Sequence, residues 1–324
     1  MNRLARLVAD ASLRAVARKL SPGGPGARLS TLIYHRVLPR ANPLNTWDVT
    51  AAEFDAQMEI LARLFNVLPL AEAVERLRKR SLPERAACVT FDDGYADNAE
   101  VALPILQARH VPATFFIATG YLDGGRMWND TVADAIGAIE GPSLDLDSWS
   151  MGVHRIDDAS ARRLAIESVL SKAKYLAPDA REGFARALAE RAKLAPTGPM
   201  MTEGQVRTLR TAGMEIGAHS VTHPILLGMP DAAAQREITD SARRLTELLR
   251  EPVSLFAYPN GKPGVDYGPE HVRMVREAGF TAAVSTRWGA ADGNVDCFQL
   301  PRFTPWDRSP YRFAARLVRN LRAG

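Results

Sequence analysis

The chain has 324 residues, 46% of them hydrophobic and 24% charged, enough apolar material for a full-sized core and too much for a globally disordered chain. Its net charge of +4 arises from 41 basic and 37 acidic residues with no long basic block in mid-chain, which argues against nucleic acid as a partner. No apolar run is long enough to span a bilayer, and Arg3, Arg6, Asp10 and Arg14 break up the N-terminal stretch where a secretory signal would be continuous, so the expectation is a soluble, cytoplasmic protein. Two cysteines, Cys88 and Cys297, cannot make a disulfide framework and read as small apolar residues in a reducing compartment.

In chain order, residues 1–27 form a basic amphipathic arm that ends in the Pro/Gly-rich "SPGGPGA". "LSTLIYHRV" follows as a buried strand, then "TAAEFDAQMEILARLF" as a helix capped by Thr50 with Glu53 three residues on. "AACVTFDD" is a second strand, "NAEVALPILQARH" a helix that tolerates Pro104, and "PATFFIAT" a third strand. Between about residues 121 and 201 this rhythm fails, leaving two helices separated at Pro178 with no strand between them, which reads as a helical insertion. The alternation then resumes through "GQVRTLRTAG", "MEIGAHS", "AAAQREITDSARRLTELL", "VSLFAYPNG", "EHVRMVREAG" and "FTAAVST". Short apolar strands alternating with helices imply an α/β fold of mostly parallel strands covered by helices, and a closed or nearly closed barrel suits this length. Residues 306–324 make a basic C-terminal helix. The simplest reading of both basic ends is helices packed on the core with solvated arginines; the alternative is peripheral contact with the inner-membrane surface. No obligate protein partner is evident.

The chemistry concentrates at predicted strand ends. Asp92 and Asp93 follow the second strand, where a barrel of parallel strands builds its site. In "EIGAHSVTHPIL", His219 and His223 lie beyond another strand. Ser220 and Pro224 place them on a loop or single turn rather than on a metalloprotease-type helix. Two imidazoles and one carboxylate suit an open divalent-cation site, and such a cation acidifies water and polarises a carbonyl. The doublet then divides its labour, one aspartate ligating the cation and the other taking a proton from the water, because consecutive side chains leave a strand in different directions. Further candidates are Tyr258 and Pro259 in "FAYPNGKPG" as a wall for a ring-shaped substrate, Arg302 and Trp306 in "QLPRFTPW" at the same mouth, and His35 at the end of "LIYHRV". The aromatic residues Tyr95, Trp128, Tyr258, Trp288 and Trp306 favour a sugar surface.

"TFDDGYADN", "GAHSVTH" and "FAYPNG", in this order, resemble the polysaccharide deacetylase family, carbohydrate esterase family 4 or the NodB homology domain. The resemblance spans roughly residues 31–305, within a domain of 28–305. "YHRV" and "GYLDGGRMWND" resemble its exopolysaccharide-associated branch. It implies a distorted (β/α) barrel, TIM-like with about seven strands, and metal-dependent release of acetate from N-acetylated amino-sugar glycans. Asp92 would be the general base. Asp93, His219 and His223 would hold the metal, Zn2+ first, with Co2+, Ni2+ and Fe2+ as alternatives. The backbone N–H of Tyr95 would stabilise the oxyanion. Two departures stand out. The third motif lacks the arginine that orients the base in many members, and "LPR" puts Arg302 where many have a histidine that protonates the leaving amine. Arginine cannot be that acid near neutral pH, so His35 or a water on the cation is expected to replace it. The competing readings are a hydrolase of a cyclic imide or ureide, a non-catalytic carbohydrate-binding scaffold, and, last, a membrane-surface adaptor.

Overall fold

The computed structural model describes residues 3–323; Met1, Asn2 and Gly324, at the tips of the two terminal segments, lie outside the described residues. Seven parallel strands close into a barrel: β1 (Leu29–Tyr34), β2 (Ala86–Phe91), β3 (Ala113–Ile117), β4 (Glu215–Ala218), β5 (Leu255–Ala257), β6 (Ala282–Trp288) and β7 (Leu300–Phe303). Each neighbours the next in chain order. The ring closes at β1, which pairs with β2 over six residues from Leu29↔Ala86 to Tyr34↔Phe91 and with β7 at Thr31↔Arg302 and Leu32↔Phe303. All residues of β1, β2 and β3 are buried, as expected of parallel strands covered on both faces. This is the distorted (β/α) barrel that the alternation and the resemblance imply. The strand that the sequence does not announce is β7, four residues interrupted by Pro301, which donates no ladder hydrogen bond. Its pairing with β6 shifts register between Val284 and Trp288.

The helices, in chain order, are α1 (Arg3–Leu20), α2 (Ala51–Leu64), α3 (Leu70–Arg78), α4 (Leu103–Arg109), α5 (Trp128–Ala138), α6 (Ala159–Ala173), α7 (Pro178–Ala192), α8 (Glu203–Thr211), α9 (Asp231–Leu249), α10 (Pro269–Glu277) and α11 (Pro310–Asn320). Thr50 caps α2 as its sequence predicts: its side chain accepts from Glu53 N–H, and the Glu53 carboxylate accepts from Thr50 N–H at 2.8 Å. The helix expected to run through Pro104 does so, with a change of winding. Residues Asn98–Ala102 wind as a π-helical turn, closed by Leu103 N–H donating to Asn98 O. α4 continues from it with helical backbone at both Ala102 and Leu103, so the change of winding sits directly ahead of Pro104, which has no N–H to donate. No helix among the described residues is long and apolar enough to cross a membrane.

The chain packs as two compact units. One comprises the residues up to Pro39, Asp48–Leu122 and everything from Met201 on, and contains the barrel; the other comprises Arg40–Trp47 and Asp123–Met200. The second has its own apolar core, including Val132, Ile136, Ile166, Val169 and Phe184. It is built from α5, α6, α7 and an antiparallel hairpin of Ser143–Asp145 with Val153–Arg155. Only α6 and α7 are legible from periodicity. The hairpin strands have three residues each and expose their end positions, so neither forms an apolar run.

Candidate active site

The C-terminal ends of the parallel strands form the rim where a barrel of this kind can present side chains without opening its core. β2 ends at Phe91, and there the two carboxylates part company. Asp92 prolongs the pairing, its N–H donating to Tyr34 O at 2.9 Å, whereas Asp93 sits in the left-handed region at φ 77° with Gly94 behind it at φ 92°. A non-glycine residue is strained there and persists only if its surroundings hold it. They do: Ala118 N–H donates to Asp93 O at 3.1 Å and Met201 N–H to Gly94 O at 2.9 Å.

His219 follows β4 directly. Its Nδ1 lies 2.8 Å from Ala257 O, and the tautomer that donates there leaves the Nε2 lone pair facing Asp93. His223 comes from a loop, as Ser220 and Pro224 foretell, with left-handed φ at both Ser220 (61°) and His223 (52°). Glu237 of α9 clamps this loop by accepting from Val221 N–H and Thr222 N–H, each at 2.8 Å, and from the Thr222 hydroxyl at 2.7 Å. From the other side Gly120 N–H donates to Val221 O at 2.8 Å, and a Cβ at position 120 would lie 2.7 Å from that oxygen. Only glycine permits so close an approach.

Asp93 Oδ1 stands 3.4 Å from His219 Nε2 and 3.5 Å from His223 Nε2, and donor atoms of all three residues fall within 4.8 Å of one another. That oxygen is buried and makes no hydrogen bond, an arrangement that is costly unless something else meets its lone pairs. The residues therefore fit an open divalent-cation site of two imidazoles and a carboxylate. The charges agree. Burial alone would raise the Asp93 carboxyl, but His219, His223 and His35 outweigh it and hold the group ionised, well below the ordinary range. Burial pulls His223 down to about 4, against the attraction of Asp93, so its imidazole is neutral at pH 7 and its lone pair is available. His219 moves the other way: burial lowers it, but Asp92 and Asp93 more than compensate. The two histidines thus contend for one positive charge between the carboxylates, a demand that a cation also satisfies.

Arg302 corrects the sequence reading. Expected to line the mouth as a substrate residue, it is 1% exposed and forks onto Asp92, with Nη1 and Nη2 each donating at 2.7 Å. Its Nε donates to Ser285 O at 2.8 Å and Nη1 also reaches Thr90 Oγ1 at 3.2 Å. A guanidinium so fixed is committed to the carboxylate rather than to a substrate, and its two-point fork sets the orientation of Asp92. Burial would raise Asp92; Arg302 first, then His219 and His35, lower it below the usual carboxylate range. The arginine that the third motif lacks thus has a counterpart on the last strand, where Arg302 holds the Asp92 carboxylate. The available signal was ring closure, which sets β7 beside β1 and β1 beside β2.

The remaining candidates separate clearly. His35 follows β1, is exposed, and is near enough for its charge to act on Asp92 and Asp93. Asn98 Nδ2 donates to its carbonyl at 2.9 Å, while Asp97 accepts from the N–H of Val37 and from Arg36 Nε at 2.8 Å. Tyr95 follows Gly94, buried beneath the Arg36 guanidinium. Tyr258 does not offer a face to a sugar. It is fully buried and stacked on Tyr267 at 3.8 Å between centroids, and Pro259 beside it is buried too. Trp306 is 58% exposed three residues past β7, with Arg316 over one face, and Trp288 is exposed at the end of β6. Trp128 opens α5 in the second unit, where Arg181 lies over its ring.

With this geometry in hand, comparison with known proteins gives consistent matches. The family model described as polysaccharide deacetylase matches residues 79–283. A putative polysaccharide deacetylase of Bacillus subtilis, YxkH, is 22% identical over 278 residues, covering 85% of this chain and 71% of that protein. The poly-beta-1,6-N-acetyl-D-glucosamine N-deacetylase of Staphylococcus epidermidis is 30% identical over 112 residues, 30% of this chain and 38% of that one. Among solved structures, the Streptococcus pyogenes deacetylase PplD superposes with a TM-score of 0.60 at 18% identity, covering 91% of this chain and 98% of that one, a likeness of fold.

Proposed function

The chain belongs to the polysaccharide deacetylase family, hydrolases of carbon–nitrogen bonds other than peptide bonds, and from that premise we propose that it removes N-acetyl groups from an amino-sugar polysaccharide or oligosaccharide. The role we assign is in exopolysaccharide or cell-envelope glycan metabolism. The observation that carries this reading is the convergence of Asp93, His219 and His223 on a partnerless carboxylate oxygen beside an Asp92 that Arg302 holds ionised.

A divalent cation, zinc foremost, would be held by Asp93, His219 and His223, and when bound it acidifies water and polarises a carbonyl. Asp92 accepts a proton as the water oxygen adds to the acetyl carbon. In this reading the backbone N–H of Tyr95 supports the oxyanion that develops. His35 gives a proton to the sugar nitrogen as the carbon–nitrogen bond breaks, leaving acetate and a free amine. Trp288 and Trp306, exposed at the ends of β6 and β7, offer aromatic faces for pyranose rings. The S. epidermidis relative supports an N-acetylglucosamine polymer as the first substrate to try.

A non-catalytic scaffold drew its support from the missing histidine at position 302. Against it stand the retention of Asp92 beside Asp93, for which a bare metal-binding scaffold has no use, and the buried fork that gives Arg302 a use at that carboxylate. The test is acetate release from N-acetylated β-1,6-glucosamine oligomers and chitin oligomers, using metal-stripped protein, zinc-restored protein and Asp92→Asn. Zinc-dependent release that Asp92→Asn abolishes is expected. Release that survives both stripping and the substitution would sink the proposal.

A further inference from the structure

We propose that the outward face of α1 seats the protein on an anionic lipid bilayer surface. One face of this helix is accounted for: Ala17 is fully buried, Leu13 and Leu20 are half-buried, and the helix packs on α2 and α11. A surface helix should then be polar on its opposite side. Here that side carries Leu4, Leu7 and Val8, which are 71%, 59% and 58% exposed, followed at helical spacing by the exposed Ala11 and Ala15.

The charge around that face is mainly positive, although Arg18 Nε pairs with Glu84 at 2.8 Å and Arg14 Nε donates to Arg63 O at 2.8 Å. The helix carries five cations, Arg3, Arg6, Arg14, Arg18 and Lys19, against one carboxylate, a surplus as large as the +4 of the whole chain. The carboxylate, Asp10, is turned inward, accepting from the Tyr311 hydroxyl at 3.1 Å and lying 3.2 Å from Arg63 Nε. Along one flank runs an apolar cavity of about 320 Å³ between α1 and α11, lined by Leu13, Val16, Leu20 and Val318 with Arg319 and Arg322 also on its wall. On the other flank a cavity of about 580 Å³ is lined by Arg14, Arg18, Lys19 and Arg85, with Glu84 as its only carboxylate.

Aliphatic residues edged by cations, on a helix lying along the protein surface, match an interface of acyl chains and anionic headgroups. Nucleic acid would leave the aliphatic stripe unpaired. A second copy of this chain would bring like charges together.

The test is co-sedimentation of the full chain with vesicles of phosphatidylcholine containing about 30% phosphatidylglycerol, against pure phosphatidylcholine, at low and high salt. Binding at least tenfold tighter to the anionic vesicles, falling as salt rises, is expected. Leu4→Ser/Leu7→Ser/Val8→Ser, at exposed positions that leave the melting temperature in place, should weaken it by tenfold or more. Arg18→Gln/Lys19→Gln should weaken it by roughly fivefold per cation. The proposal fails if the chain does not sediment with the anionic vesicles or if the triple variant binds as tightly as the parent. It also fails if the parent is a dimer without lipid that the triple variant dissolves, which assigns the face to a second copy.

Discussion

The rim at the ends of β2 and β4 and the rim beyond β5 are both rich in polar and aromatic residues, yet they are built on opposite terms. At the first, Asp93 Oδ1 is buried without a partner and two imidazole nitrogens point at it from 3.4 and 3.5 Å. At the second, Tyr258 and Tyr267 stack on each other at an interplanar angle of 7°, and Pro259 is buried beside them. The first region gathers three ligand-type side chains around one unmet carboxylate oxygen, and the second is rings stacked on each other around the unmet hydroxyl of Tyr258. Both looked like site motifs in the sequence; convergence of unmet donor atoms distinguishes the one that carries chemistry.

The sharpest way to break this contrast is at the base. Asp92→Asn cannot take a proton, and acetate release per folded molecule should fall by about 10²–10⁴-fold. Because it also leaves the buried Arg302 guanidinium without its counter-charge, a stability loss of about 3–5 kcal/mol should accompany it. Next comes Arg302→Met. It strands a buried carboxylate, so stability should drop by about 3–5 kcal/mol in chemical denaturation. Without Arg302 the burial of Asp92 is uncompensated and its carboxyl moves up; since the ionised form is the base, the acid limb of the pH–rate profile should shift to higher pH. An unshifted limb would deny Arg302 its role.

A smaller effect is expected from Gly120→Ala. Its Cβ would press on Val221 O and displace the loop carrying His223, weakening cation affinity by about 10-fold or more in a competition titration while Asp92 is untouched. Smallest of all is Tyr258→Phe. The hydroxyl is buried with no partner, so removing it should leave activity unchanged and stability equal or slightly higher. A large loss of activity there would move the second rim into the site.

How much of this was legible follows the same physics. The barrel was readable because parallel strands buried on both faces are short apolar runs, and the two motifs were readable because aspartates and histidines at strand ends are conspicuous residue types in conspicuous places. α3 and α5 went unread, and so did the hairpin of the second unit, whose three-residue strands are too short for a period to register. The place of Arg302 is not legible in the sequence, because it depends on closure: position 302 meets position 92 only when β7 lies against β1. The burial of Tyr258 is not legible either, since exposure, which separates a sugar platform from a packed ring, is a property of the folded chain.

The central claim is that adjacent aspartates have separate duties, Asp93 holding the cation and Asp92 serving as base. Metal content after zinc loading and exhaustive dialysis, measured in parallel for the parent, Asp93→Asn and Asp92→Asn, tests it directly. One zinc per chain in the parent and in Asp92→Asn, with none in Asp93→Asn, is the predicted result. Equal loss in both variants, or retention in both, would contradict it.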